Sequence, residues 1–190
     1  GSNYSTDDYA VCNLSGCTGA LVSWNRKMQS VQSYFMLIDG NNVNDHLLFN
    51  NEMRESDNNQ MFFRTASEEQ NDQKRFWLNL IKDGTSSQIL IGYNENTSLN
   101  LDKGYDAILK ENNEVLQLFS KSGNMKYNIQ SRGIFENEDV VPLGINLPQS
   151  GQYQIALHTS DAFFQQGEQP IYLIDSQTNS YHNLSEMPYT

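Results

Sequence analysis

The fold this sequence predicts is all-β: an antiparallel β-sandwich, jelly-roll-like. Three observations carry it. Apolar and polar residues alternate with period two in several stretches. Turn signals built on Gly, Asp and Asn separate those stretches at intervals of about 10–15 residues, the spacing of an all-β domain. Charged residues make up 18% of the 190, low against the usual ~25%. Asn, Gln, Ser and Thr fill the gap, which suits a strand-rich surface better than charged helices.

In the first third, Ala20–Trp24, Ser33–Ile38, Leu47–Asn50 and Gln60–Arg64 read as strands. Ala66–Lys74, ASEEQNDQK, has no apolar stripe and is expected to be a polar loop with at most one helical turn. In RFWLNLIK, Phe76, Leu78 and Leu80 fall on one face, and Arg75, Trp77, Asn79 and Ile81 on the other. Lys82-Asp83-Gly84-Thr85 follows as the best hairpin turn. In SQILIGY, Ile89, Ile91 and Tyr93 oppose Gln88, Leu90 and Gly92. Val115–Phe119 and Lys126–Gln130 flank a second turn signal, Ser122-Gly123-Asn124. Tyr153, Ile155 and Leu157 alternate with Gln152, Gln154 and Ala156 in the cleanest half-buried strand. Ile171–Asp175 is the last. Phe76, Leu78, Leu80, Ile89, Ile91, Tyr153, Ile155 and Leu157 are expected to share one core.

A chain of this length reads as one domain over residues 1–190, able to bury roughly 70% of its unfolded surface without a staple. There is no internal repeat, low-complexity tract or splitting linker. The opening Gly1-Ser2 reads as a cloning remnant on a piece of a longer polypeptide. Net charge is −11. That field disfavours nucleic acid and anionic membrane, whose phosphates need clustered Lys and Arg. No apolar run approaches the ~20 residues of a membrane-spanning helix.

Chemistry-bearing residues are sparse. Cys12 and Cys17 have four residues between them. The pair admits a disulfide, two free thiols or half of a metal site. The disulfide is favoured in a secreted setting. Asp39, Asn41 and Asp45 are dense in oxygen ligands that suit Ca²⁺, though such a run also makes an ordinary hairpin loop. Asn94, Glu95, Asn96, Asp102 and Asp106 form a second such cluster, and Asp7-Asp8 a third. Calcium is the one cofactor these residues bring into view.

His158 and Asp161 have the spacing of a dyad. Glu136, Glu138 and Asp139 could supply a glycosidase acid and base, and solvated loop charges are the alternative. No nucleophile elbow or phosphate loop is present, so no catalytic residue is assigned and the chain is not expected to be an enzyme. Sugar-binding modules present exposed aromatic faces beside Asn, Gln and Asp. Trp24, Trp77, Tyr93 and Tyr105 are the candidates, with Trp77 the more exposed one. Core packing is the alternative for large aromatics in strands.

Several stretches agree with one family: LLFNNEMR (47–54), RFWLNLI (75–81), SQILIGYNENTSLNLDKGYDA (87–107), IQSRGIFENEDVVPLGI (129–145), SGQYQIAL (150–157) and IYLIDSQTNSYHNLSEMPYT (171–190). In order and spacing they resemble a β-sandwich module near the C-terminus of large secreted or surface proteins of Bacteroidota, cargo of the type IX secretion system. The resemblance implies an extracellular, outer-surface location and an adhesin-type structural role beside a sorting domain. It implies no catalytic residue. A surface glycan or a protein would be the partner, and carbohydrate binding is the alternative role. Members of that family run past the PYT-like end into a further strand. An unpaired edge near Ile171–Asp175, open to strand addition from another chain, is therefore expected.

Overall fold

The computed structural model describes residues 10–19, 48–53, 73–165 and 169–190. The chain divides into two compact units, Gly1–Trp24 with Glu69–Thr190, and Asn25–Glu68. In the second unit the described residues hold a 3-10 turn, Asn51–Met53. Asn50 starts it, accepting from the Met53 amide through both its carbonyl and its side chain. Residues 48–50 lead irregularly into that turn, which corrects the strand expected over Leu47–Asn50. The strands expected at Ala20–Trp24, Ser33–Ile38 and Gln60–Arg64 lie outside the described residues.

The first unit is built from strands. They are β1 (Ala10–Cys12), β2 (Cys17–Gly19), β3 (Lys74–Lys82), β4 (Thr85–Tyr93), β5 (Ala107–Ile108), β6 (Gln117–Ser122), β7 (Met125–Ser131), β8 (Leu143–Asn146), β9 (Gln154–Ser160), β10 (Tyr172–Asp175) and β11 (Ser180–Asn183). A single helical turn, α1 (Ala162–Gln165), interrupts them. The all-β class holds. β3 and β4 pair along their whole length, closing at Lys82↔Thr85. The two turn residues have positive φ, 47° at Asp83 and 82° at Gly84. That is the left-handed pair a tight hairpin needs to match strand twist.

The register of β7 explains how the strands layer. Ile129 has Leu90 of β4 on one side and Ala107 of β5 on the other. Tyr127 has Ser120 of β6 and Ile108 of β5. So β5 runs along one edge of β7, while β6 and then β4 succeed each other along the opposite edge. Two leaves diverge there: β8-β6-β7 and β7-β4-β3-β9. Laterally paired residues share a face, and faces alternate along a strand. The first leaf uses the Tyr127 face of β7, and the second continues the Gln130 face, where Gln130 pairs with Ile91. The leaves therefore part like a fork, and the main core fills the opening.

That core joins Phe76, Leu78, Leu80, Ile89 and Ile91 of the second leaf to Leu116 and Leu118, with Phe164 and Leu184. Tyr153, Ile155 and Leu157 pack against it half-buried. The eight residues expected on one face thus share one core, in a sandwich-like arrangement. One part of the fold expectation is corrected: β4 and β7 pair parallel, not antiparallel. The described strands form one mixed seven-stranded sheet and two hairpins, which leaves jelly-roll connectivity without support.

Near Ile171–Asp175, where an open edge is expected, β10 has a strand partner on one side, in a two-stranded sheet among the described residues. β10 pairs with β11 in register from Tyr172↔Asn183 to Asp175↔Ser180. Tyr189 instead reaches β9, exchanging both backbone hydrogen bonds with Ile155 at 2.9 Å. On the outer face of β6, the Phe119 ring lies across its register partner Gly144. A Cβ on Gly144 would sit 2.2 Å from that ring.

Candidate functional site

The second face of the β3–β4 sheet is covered as well. Trp77, Leu90 and Ile129 form a smaller core there. The β1–β2 hairpin supplies the cover. Cys12 and Cys17 are register partners joined by a disulfide, with Cα atoms 4.1 Å apart. The four residues between them are tied down atom by atom. Leu14 N donates to Gly104 O at 2.8 Å. Asn13 Nδ2 and Ser15 Oγ both donate to Tyr105 O at 2.7 Å. Ser15 Oγ also meets Ser131 Oγ at 2.6 Å. Arg75 Nη1 donates to Ser15 O at 2.9 Å, and Trp77 Nε1 to Cys17 O at 2.7 Å.

Trp77 is therefore 2% exposed. The expectation of an exposed ligand-binding tryptophan is overturned. Period-two alternation marks faces without saying which one meets water, and here both are buried. Tyr93 lies on the opposite face of the sheet, among Phe135 and Phe164. Tyr105 sits half-buried in the loop under the disulfide hairpin. Trp77 and Tyr105 are thus both under the disulfide hairpin and Tyr93 is on the opposite face, so these three form no exposed platform, and Trp24 lies outside the described residues.

The acidic cluster after β4 is a set of turn locks. Asp106 accepts from Ser131 N with one oxygen and from Asp102 N with the other, both at 2.8 Å. Asp102 accepts from the Ser98 amide at 2.6 Å. Asn94 Oδ1 closes a turn on Asn96 N at 2.9 Å, and Glu95 is exposed. Half-burial raises the Asp106 pKa above the usual carboxylate range. These oxygens face amides rather than a shared centre, which corrects the calcium reading of this cluster. Among the described residues no three His, Cys, Asp or Glu side chains converge on one point. Asp39, Asn41 and Asp45 lie outside the described residues, as does Asp7-Asp8.

The proposed acid–base groups separate too. Asp161 forms an ion pair with Arg75, Nε to Oδ2 at 2.7 Å and Nη2 to Oδ1 at 3.2 Å. His158 is exposed, and its Nδ1 lies 3.4 Å from Asn79 Nδ2. The His158–Asp161 dyad is thereby overturned. Glu136 and Glu138 are exposed, whereas Asp139 grips Arg132 through two hydrogen bonds of 2.8 Å and accepts from Tyr93 OH at 2.9 Å. The Arg132 hydrogen bonds hold the Asp139 carboxyl below its ordinary range. Burial would lower the Arg132 pKa, but Asp139 beside it raises it by more. Tyr93 is pushed well up, by burial first and then by the Asp139 charge. Each member of this triad stabilises the protonation state it already has, so it is a poor proton shuttle and a good brace.

Sequence reasoning passed over the hairpin of β10 and β11. Tyr172 is 54% exposed and Tyr181 69%, with Ile174 between them at 43%. The signal was there: Tyr172 and Ile174 alternate with Leu173, whose side chain packs on the core.

Fold and side chains together define an all-β module in which Asn94, Asp102, Asp106 and Asp139 hold its own turns and strands. The chain belongs to the family described as a domain of unknown function, DUF8693, whose model matches residues 1–190. No curated protein and no solved structure matches the chain.

Proposed function

We propose that this chain is a non-catalytic, extracellular module of adhesin type, carried by a secreted or cell-surface protein. The resemblance to type IX cargo modules favours a place beside a sorting region. The observation that carries the reading is the disulfide-closed loop. It is held by the Arg75 and Trp77 side chains of β3, the Ser131 hydroxyl of β7 and the Tyr105 carbonyl, and disulfides persist in oxidising compartments. The commitment of Asp102, Asp106, Asp139 and Asp161 to structural partners supports the non-catalytic half. Carbohydrate binding is the second reading, favoured by the exposed tyrosines of the last hairpin.

Two measurements test the main reading. After secretion into an oxidising compartment, neither cysteine should alkylate without reductant, and the intact mass should lie about two units below the dithiol form. Two alkylated cysteines would remove the extracellular argument. A panel of glycoside, ester and peptide substrates should turn over at the buffer rate. Reproducible turnover by purified protein would end the non-catalytic reading.

A further inference from the structure

We infer that the outer face of the β10–β11 hairpin is a binding platform for a neutral carbohydrate, with Tyr172 and Tyr181 as its stacking surfaces. The inference rests on the reading of the chain as a non-catalytic surface module and gives that module a ligand class. Tyr172 and Ile174 stand on one face of β10, and Tyr181 is the register partner of Ile174. The two rings are therefore diagonal neighbours on a two-stranded sheet, about 7–8 Å apart at Cα. Neither hydroxyl has a partner among the described residues. A pyranose ring offers a face of C–H bonds to an aromatic ring and hydroxyls to free phenols, so both features match.

The hairpin is fixed before any ligand arrives, which removes an ordering cost from binding. Its inner face is anchored by Leu173 in the core and by Leu184 N to Ile171 O at 2.9 Å. Its turn is held by Asp175, which accepts from Gln177 N at 2.8 Å, from Thr178 Oγ1 at 2.9 Å and from Tyr189 OH at 2.7 Å.

Area and charge select the occupant. Tyrosines of about 200 Å² each, exposed by half to two thirds, with Ile174 beside them, offer on the order of 300 Å². A stable protein dimer needs about 800 Å² per partner. A patch of this size fits a short run of sugar rings better than a second copy of the chain. A carboxylate at the rim, Glu186, accepts from Asn183 Nδ2 at 2.9 Å, and Asn183 is the register partner of Tyr172. With a net charge of −11 behind it, that rim repels sulfated or sialylated chains and leaves neutral ones.

The test is titration calorimetry of the whole chain with neutral gluco-, manno-, xylo- and galacto-oligosaccharides of two to six rings. Tyr172→Ala, Tyr181→Ala and Tyr181→Phe are run beside it, with far-UV circular dichroism to show that each variant folds. Expected is saturable binding to at least one series, weakened tenfold or more by either alanine and within about threefold by Tyr181→Phe. Binding that survives both alanines would overturn the platform and leave carbohydrate recognition elsewhere on the module. No binding to any neutral series, or a concentration-dependent dimer abolished by Tyr181→Ala, would overturn the inference outright. Hydrolysis of a bound sugar would instead defeat the non-catalytic reading while leaving the platform in place.

Discussion

Replacing Asp139 with Ala should cost about 2–4 kcal/mol, and the cost should fall when Arg132 is also replaced by Met. The Arg132 side chain is 4% exposed, and Asp139 takes two of its hydrogen bonds at 2.8 Å. Removing one partner of a buried pair leaves a charge with neither water nor counter-ion, typically about 3–5 kcal/mol. Asp139 itself is 21% exposed, so water re-enters in part and the lower end applies. Tyr93 OH loses its acceptor in the same variant. A methionine at Arg132 removes the stranded charge and keeps most of the volume. The double variant should therefore be more stable than Asp139→Ala alone. Urea unfolding followed by circular dichroism measures all three. If Asp139→Ala loses less than about 0.5 kcal/mol, or the double variant is the least stable, the account of the triad as a buried brace is refuted.

Leu78→Ala should lose roughly 2–5 kcal/mol, and Ile155→Ala, being half-buried, should lose less; equal denaturant midpoints for wild type and both variants would contradict the shared core. Gly144→Ala should destabilise by about 1–3 kcal/mol through the Phe119 ring, and Gly144→Ala combined with Phe119→Leu should recover part of it, with no recovery refuting the contact. In acid, Asp139 and Asp175 have lowered pKa values, that of Asp175 about 2 through Tyr189 and the turn amides. Their contribution is complete above the unfolded carboxylate value of about 3.9 and is lost as pH falls through their folded values. Asp106, raised by burial, acts in the opposite sense: its contribution is present below about 3.9 and lost as pH rises through its folded value. The urea midpoint should fall between about pH 5 and 2, less steeply in Asp139→Ala, and a flat profile in wild type would overturn this assignment.

The strands that sequence made legible are those whose alternation reports one buried face. Phe76, Leu78 and Leu80 set against Ile89 and Ile91 define β3, β4 and the turn between them. β8 is harder to delimit because Leu143, Gly144, Ile145 and Asn146 do not alternate cleanly, and Gly144 accommodates a ring rather than a turn. Trp77 lies on the face its alternation gives it but is buried there, because the cover over it arrives from Cys12–Cys17, some sixty positions away, and no local pattern encodes that. The acidic run at Asp102 and Asp106 was correctly seen as oxygen-rich. Whether such oxygens face a cation or backbone amides depends on where Ser131 N lies, which only the tertiary register decides.

The fork at β7 carries a consequence for how the chain folds. β3–β4, β6–β7 and β10–β11 are hairpins of adjacent residues and can zip locally within microseconds. The parallel pairing Leu90↔Ile129 joins positions nearly forty residues apart, and must wait until the loop between them is gathered in. Until it does, Leu90 and Ile129 are wet and the second leaf lacks its inner neighbour. Non-local parallel pairing of this kind is slow and exposes sticky edges. The aspartates that clamp residues 94–106 are therefore aids to closure as much as to the finished fold: Asp106, bonded to the Ser131 amide at the last position of the pairing, acts as the catch that keeps β7 against β4 once they meet.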